Sequence, residues 1–277
     1  MDGGLSVDGL RALAEDYPKV PLTQYANAAA TLRMILKTDL DTYLDLSVGS
    51  CSFDDGRFLD LLEMVKGFKE NTKSRSEWAQ ESGSVADMLY RKEYLMESAW
   101  IECMETYLEL RDAFGGEEAF VELCGYPIQK GEERYPIDFG TLFGMNAASQ
   151  KKEGAWDFLK WLLSKAHQAE LVERKFPIVE EFFEESLNVE YVSGGMNFYQ
   201  FLNRYTNEMT TDSVANKEDK ERMRAIVNHA YYSGELEKDI QTIISDETWD
   251  YFDGSQTAQM AVEHIQSRVG LYLKERQ

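Results

Sequence analysis

Only two or three stretches of this chain read as strands, and they sit mid-sequence with helices on both sides. "EAFVELCGYP" is an apolar run of strand length, ended by a Gly-Tyr-Pro turn. "DFGTLFGMNA" is the clearest other candidate, weakened by its two glycines, and 94–96 is a short extended run. So few strands cannot make a sheet that buries a face by itself. They have to pair with other parts of the chain, and the fold must be built mainly on helices.

Apolar residues recur at three and four over most of the remaining sequence. Residues 7–17 carry Leu10, Leu13 and Ala14 behind Ser6, a natural N-cap. Residues 27–46 carry Leu32, Ile35, Leu36, Leu40, Tyr43 and Leu44 in one stripe. A helix over 58–68 follows Asp54 and Asp55, either of which can accept from its free N–H groups. Two helical pieces flank 94–96, and Gly115–Gly116 stops the second. Ser149 is the expected cap of a helix running to 164, with Ala155, Phe158, Leu159 and Leu162 on one face. After Pro177 the chain is helical to its end, with periodic runs at 197–209, 219–232, 236–252 and 257–275. The last is the most regular, with Ala258, Ala261, Val262, Ile265, Val269 and Tyr272 in register.

Charge excludes some partners. Fifty acidic residues against 29 basic give a formal net charge of -21, which opposes nucleic acid and anionic membranes. Hydrophobic residues at 43% supply ample core material. The three cysteines, Cys51, Cys103 and Cys124, have no metal-like spacing and read as small buried hydrophobes. No apolar window is long enough to span a bilayer, and the N-terminus lacks the pattern of a signal peptide.

Catalytic signals are weak. His167, His229 and His264 share no metal-ligand spacing, and neither a nucleophile elbow nor a phosphate loop is present, so no cofactor or metal is implied. Glu180, Glu181, Glu184 and Glu185 cluster near a helix start, but a solvated charged face explains them more simply than glycoside hydrolysis. Aromatics are more informative. Trp100, in "YLMESAWIEC", and Phe198, Tyr199, Phe201 and Tyr205, in "GGMNFYQFLNRY", offer ring faces of the kind that meet the C–H patches of a sugar. Core packing is the competing reading for each of them.

Three stretches carry a family resemblance. "GYPIQKGEERYPIDFGTLFGMNAASQKKEGAWDFLKWLLS" is similar to a Gly-Tyr-Pro turn, a strand ending in small residues before Ser, and an Ala-Trp-x-Phe-Leu helix. "LDLSVGSCSFDDGRFLDLLEMVKGF" matches a Cys-Ser-Phe-Asp helix start, and "YFDGSQTAQMAVEHIQSRVGLYLKE" a closing Tyr-Phe-x-Gly pattern. In this order they resemble the family 1 extracellular solute-binding proteins, the sugar receptors of ABC importers within the maltose-binding-protein superfamily.

That resemblance implies the C-terminal part of a two-lobe α/β periplasmic-binding-protein-like fold, mainly α here with a few short strands, and lacking the first lobe. Residues 1–128 and 178–277 would form the C-terminal lobe, and 129–177 would cross to the N-terminal lobe. It implies a non-enzymatic receptor for a solute, most simply a carbohydrate, that closes about a hinge and is recognised by a membrane permease. Such receptors are extracellular, anchored as lipoproteins in full length. Trp100, Asn197, Phe198 and Tyr199 would contact the ligand. Edges bared by an absent lobe would favour self-association. The alternative is a helical scaffold or protein-interaction domain, which needs no mid-chain strands and no crossing segment.

Overall fold

Capping chemistry decides where the periodic segments become helices. The computed structural model describes residues 5–73, 77, 83–114, 121–129, 131–138, 143–172, 175–188, 203–208 and 213–276. Helix α1 (Val7–Asp16) starts where Ser6 Oγ accepts from the Gly9 N–H at 2.9 Å. Its first turn is tied to the middle of the chain, because Val7 N–H donates to the Ile128 carbonyl and Ile128 N–H to that of Leu5. Helix α2 (Ala28–Asp39) is capped by Asn27 Oδ1 on the Ala30 N–H at 2.8 Å.

α2 stops well short of the 27–46 expected from its stripe. Asp39 leaves helical geometry at φ -127°, a 3-10 turn (Leu40–Thr42) follows, and the chain enters a small antiparallel hairpin. Its strands are β1 (Leu44–Asp45) and β2 (Ser50–Cys51), with Leu44 opposite Cys51. Thus Tyr43 and Leu44 keep their apolar role without being helical. Helix α3 (Arg57–Gly67) begins after Gly56, whose left-handed φ of 92° suits glycine, while Asp55 Oδ1 accepts from the Arg57 N–H.

Further along come α4 (Val85–Tyr90), α5 (Met104–Phe114), α6 (Lys152–Leu162), α7 (Lys165–Ala169), α8 (Glu180–Ser186), α9 (Lys217–Asn228), α10 (Glu235–Asp253) and α11 (Ala258–Glu275). Ser84 with Asp87 and Asn216 with Asp219 form reciprocal capping boxes on α4 and α9. Ser149 does not cap α6: its Oγ accepts from Lys151 N–H, and Lys151 stands at the N-cap position without a side-chain bond. The periodic run at 197–209 falls mostly outside the described residues, and its visible part, 203–208, is a turn closed by Asn203 N–H to the Glu208 carbonyl.

The strands are not where the apolar runs placed them. Among the described residues, 121–125 and 143–148 are not strands. An extended segment stays irregular without a neighbouring edge to bond. Such edges occur instead at β3 (Tyr135–Pro136) and β4 (Ala230–Tyr231), which pair in parallel with Tyr135 opposite Ala230. The extended run expected at 94–96 does not form as a strand: 94 and 95 lie in a bend, where Leu95 N–H reaches the Pro21 and Leu22 carbonyls and Met96 N–H donates to Leu22 at 2.7 Å.

The main core gathers α1, α2, α3, α10 and α11. At its centre Tyr43 stacks on Phe53 with ring centroids 5.4 Å apart, and both meet Phe58 edge-on at 5.1 and 5.0 Å. Ile35, Leu36, Ile244, Ala261, Ile265 and Val269 close around them. Two smaller cores lie beside it, one around Met104, Leu108, Leu187 and Met223, the other around Met88, Tyr94, Phe114 and Tyr205. Cys103 is buried, and Cys51 and Cys124 are half-buried. No described helix is long and apolar enough to cross a membrane.

Asp39 is the awkward group in this core. It is 1% exposed, accepts from Thr42 Oγ1 at 3.0 Å, and lies beside Tyr43, to whose hydroxyl Gln129 Nε2 donates. Burial raises its carboxyl above the ordinary range, outweighing the hydrogen bonds. A raised folded-state value stabilises the fold at low pH, and that contribution is lost as pH rises through it. We therefore expect Asp39→Asn, which retains an acceptor for Thr42, to raise the urea midpoint at pH 7. The gain should shrink as pH falls toward about 4. A variant less stable than the parent at pH 7 would show that the charged form is needed.

Candidate functional site

An open cleft of 310 Å³ lies between α2 and three irregular segments. α2 contributes Thr31, Arg33, Met34 and Lys37. The 23–25 loop adds Gln24 and Tyr25, the 97–98 segment Glu97 and Ser98, and the Gly-Tyr-Pro turn Tyr126. A second gap, between α2 and α10, holds only 10 Å³ and is a packing imperfection.

Hydrogen bonds hold the 97–98 segment and the Gly-Tyr-Pro turn in place. The 94–96 run is bound to 21–22 as described, which fixes the start of 97–100. Thr106 Oγ1 accepts from the N–H groups of Glu102 and Cys103 and donates to the Cys103 carbonyl, so α5 begins in a set position just after Trp100. The 125–126 turn is set by a close backbone approach. A Cβ at Gly125 would lie 2.4 Å from the Arg134 carbonyl, so only glycine lets Tyr126 N–H reach that carbonyl at 2.8 Å. Gly125 N–H also donates to Glu133 at 2.8 Å. Burial alone would raise the Glu133 carboxyl, but bonds from Tyr135 and Gly125 and the Arg222 guanidinium hold it below the usual range.

Trp100 does not line this cleft but lies next to it, 58% exposed and beside the cleft residue Lys37. Lys37 Nζ lies 5.5 Å from its ring centroid and 6.0 Å from that of Tyr126, and bonds Asp138 at 2.7 Å. Tyr25 is also half-exposed, and Ser98 and Tyr126 hydroxyls are 3.4 Å apart. Loss of solvent around the Glu97 carboxyl raises it, against a hydrogen bond from Tyr94. The site therefore offers three aromatic rings, a cation between two of them, and hydroxyl, amide and carboxyl groups at the rim. Such a surface can stack a flat apolar ring and bond its polar edge.

Of the sequence-derived contacts, Trp100 lies next to the cleft. Asn197, Phe198 and Tyr199 lie outside the described residues. Tyr205, from the same aromatic cluster, is in the core, 5.6 Å from Phe114. Sequence reasoning missed Tyr25, Lys37 and Tyr126. Lys37 sits on the polar side of the α2 stripe and looked solvated, and only the fold brings it to Trp100. The clustered glutamates of α8 are engaged in surface pairs, Glu184 with Arg224 and Glu181 with Lys165. No group of three or more His, Cys, Asp or Glu able to hold a metal occurs among the described residues.

No family model matches the chain, and no curated protein matches it in sequence. A solved structure does match in fold. A "putative oligosaccharide periplasmic-binding protein" from Synechococcus sp. MITs9220 superposes with a TM-score of 0.53 at 12% identity. The match covers 98% of this chain and 67% of that one. The fold is thus periplasmic-binding-protein-like, mainly helical with small sheets.

Lys37 links the cleft to the 131–138 stretch through partly exposed groups. Lys37→Met should change unfolding free energy by no more than about 1 kcal/mol in urea titrations, since surface ion pairs contribute little. A larger loss would mean that the Lys37–Asp138 pair holds the fold and not only the cleft wall.

Proposed function

We propose that this chain is part of a solute-binding receptor, and that its solute is a carbohydrate taken at the Trp100 cleft. The observation that carries the reading is an open hollow lined by Tyr25 and Tyr126 and edged with polar groups, with the exposed Trp100 ring next to it beside Lys37. The likeness to an oligosaccharide-binding protein supports it. On this reading the chain belongs with the family 1 extracellular solute-binding proteins, acts outside the cell as a non-catalytic component of an ABC importer, and presents its closed form to a membrane permease.

The division into 1–128, 129–177 and 178–277 belongs to the same proposal. Within the middle stretch, residues up to Asp138 are bonded to α2 and β4, whereas α6 has no buried residue. Trp156, Phe158, Trp161 and Leu163 are each at least half exposed. An aromatic helix face of that character is one that a further layer of a two-lobe fold covers. Asn197, Phe198 and Tyr199, outside the described residues, remain proposed contacts.

The test is saccharide binding by saturation-transfer NMR, which registers millimolar affinities, across neutral and acidic oligosaccharides. Trp100→Ala should weaken the best ligand by roughly tenfold. Unchanged affinity would remove Trp100 from the site. An absence of binding to any saccharide would end the carbohydrate reading.

A further inference from the structure

Arginines in this chain are almost all taken. Among the described residues, Arg57, Arg91, Arg111, Arg134, Arg204, Arg222, Arg224, Arg268 and Arg276 each face a carboxylate within ion-pair distance. That is what 50 acidic residues against 29 basic should produce. Arg11 instead donates to the Met64 sulfur. Arg33 has no hydrogen-bond or ion-pair partner among the described residues, and it lines the cleft.

The second cation at the cleft stands one helical turn further along α2. Lys37 is committed to Asp138 and lies over the Trp100 and Tyr126 rings, so its charge is already balanced. Arg33 has no such carboxylate partner among the described residues. Glu97, the acid among the residues lining the cleft, is hydrogen-bonded with Tyr94. A guanidinium presents a planar fork that matches a carboxylate through two parallel hydrogen bonds. Left unpaired in a chain with so many acids, it marks a place kept for an anion that arrives from outside.

We propose that the ligand of this cleft is an acidic saccharide, a uronic-acid-containing oligosaccharide, whose ring carboxylate pairs with Arg33 while a neighbouring sugar ring stacks on Trp100. This deepens the carbohydrate reading and rests on it. The net charge of -21 does not oppose such a ligand at contact, because exposed charges beyond about 8 Å are screened at physiological salt. Lys37 and Asp138, a neutral pair, orient the wall without competing for the carboxylate.

Matched ligands separate this inference from the reading beneath it. The probes are gluco- and galacturonic trisaccharides and their carboxyl-reduced neutral counterparts, titrated into the wild-type chain, Arg33→Gln and Trp100→Ala. The acidic members should bind about tenfold more tightly than the reduced ones. Arg33→Gln should bring that ratio close to one. Trp100→Ala should weaken both members of each pair together. Equal affinity for acidic and reduced members would overturn the acidic-ligand inference and leave the carbohydrate reading standing. A preference that survives Arg33→Gln would equally overturn the role of Arg33. Failure of every saccharide to bind would overturn both.

Discussion

The interlocked rings of Tyr43, Phe53 and Phe58 are the contact on which the rest depends. They join the end of α2, the loop after the β1–β2 hairpin and the first turn of α3, all within one buried cluster. Three aromatic rings bury a large apolar area at one point, and their edge-to-face geometry admits few alternatives. With its C-terminal end fixed there, α2 has a set rotation about its axis. Leu32, Ile35 and Leu36 face the core, and Arg33 and Lys37 are left on the opposite side, at the cleft. The cleft wall is thus the outer surface of a helix whose inner surface lies in the main core.

The sequence was most legible where short-range chemistry and burial agree. Ser6 caps α1 as its position suggests, and Ala258, Ala261, Val262, Ile265 and Val269 of α11 all lie in the core. Legibility failed where a partner distant in sequence decided the outcome. The end of α2 could not be placed because Tyr43 and Leu44 continue an apolar stripe that the hairpin, not a helix, buries. The expected strands form no continuous ladder, the first making only a single bridge from Tyr126 to Arg134, whereas β3, with a proline in it, found Ala230–Tyr231. A parallel pairing between segments so far apart leaves no mark in either one.

The site divides in the same way. Trp100 stood out as a large ring in "YLMESAWIEC", and the structure leaves it exposed. Tyr126 followed from nothing local except Gly125, whose need to approach the Arg134 backbone appears only once the chain is folded. Arg33 and Lys37 looked like ordinary solvated positions on an amphipathic helix. What distinguishes them is the company they keep, one balanced by Asp138 and the other by nothing among the described residues. Sequence alone cannot record an unfilled pairing.

The Lys37–Asp138 bond makes the cleft a thermodynamic partner of the chain that follows the Gly-Tyr-Pro turn. Lys37 sits over two ring faces and holds Asp138 at the end of a segment that runs on from β3. Any solute that stacks on Trp100 and alters the hold of Lys37 on Asp138 changes the freedom of that segment by the same free energy. Conversely, whatever tightens or strains the segment changes affinity for the solute by an equal amount. A single ammonium group therefore gives this fold a reciprocal connection between what fills the cleft and how the chain leaves it.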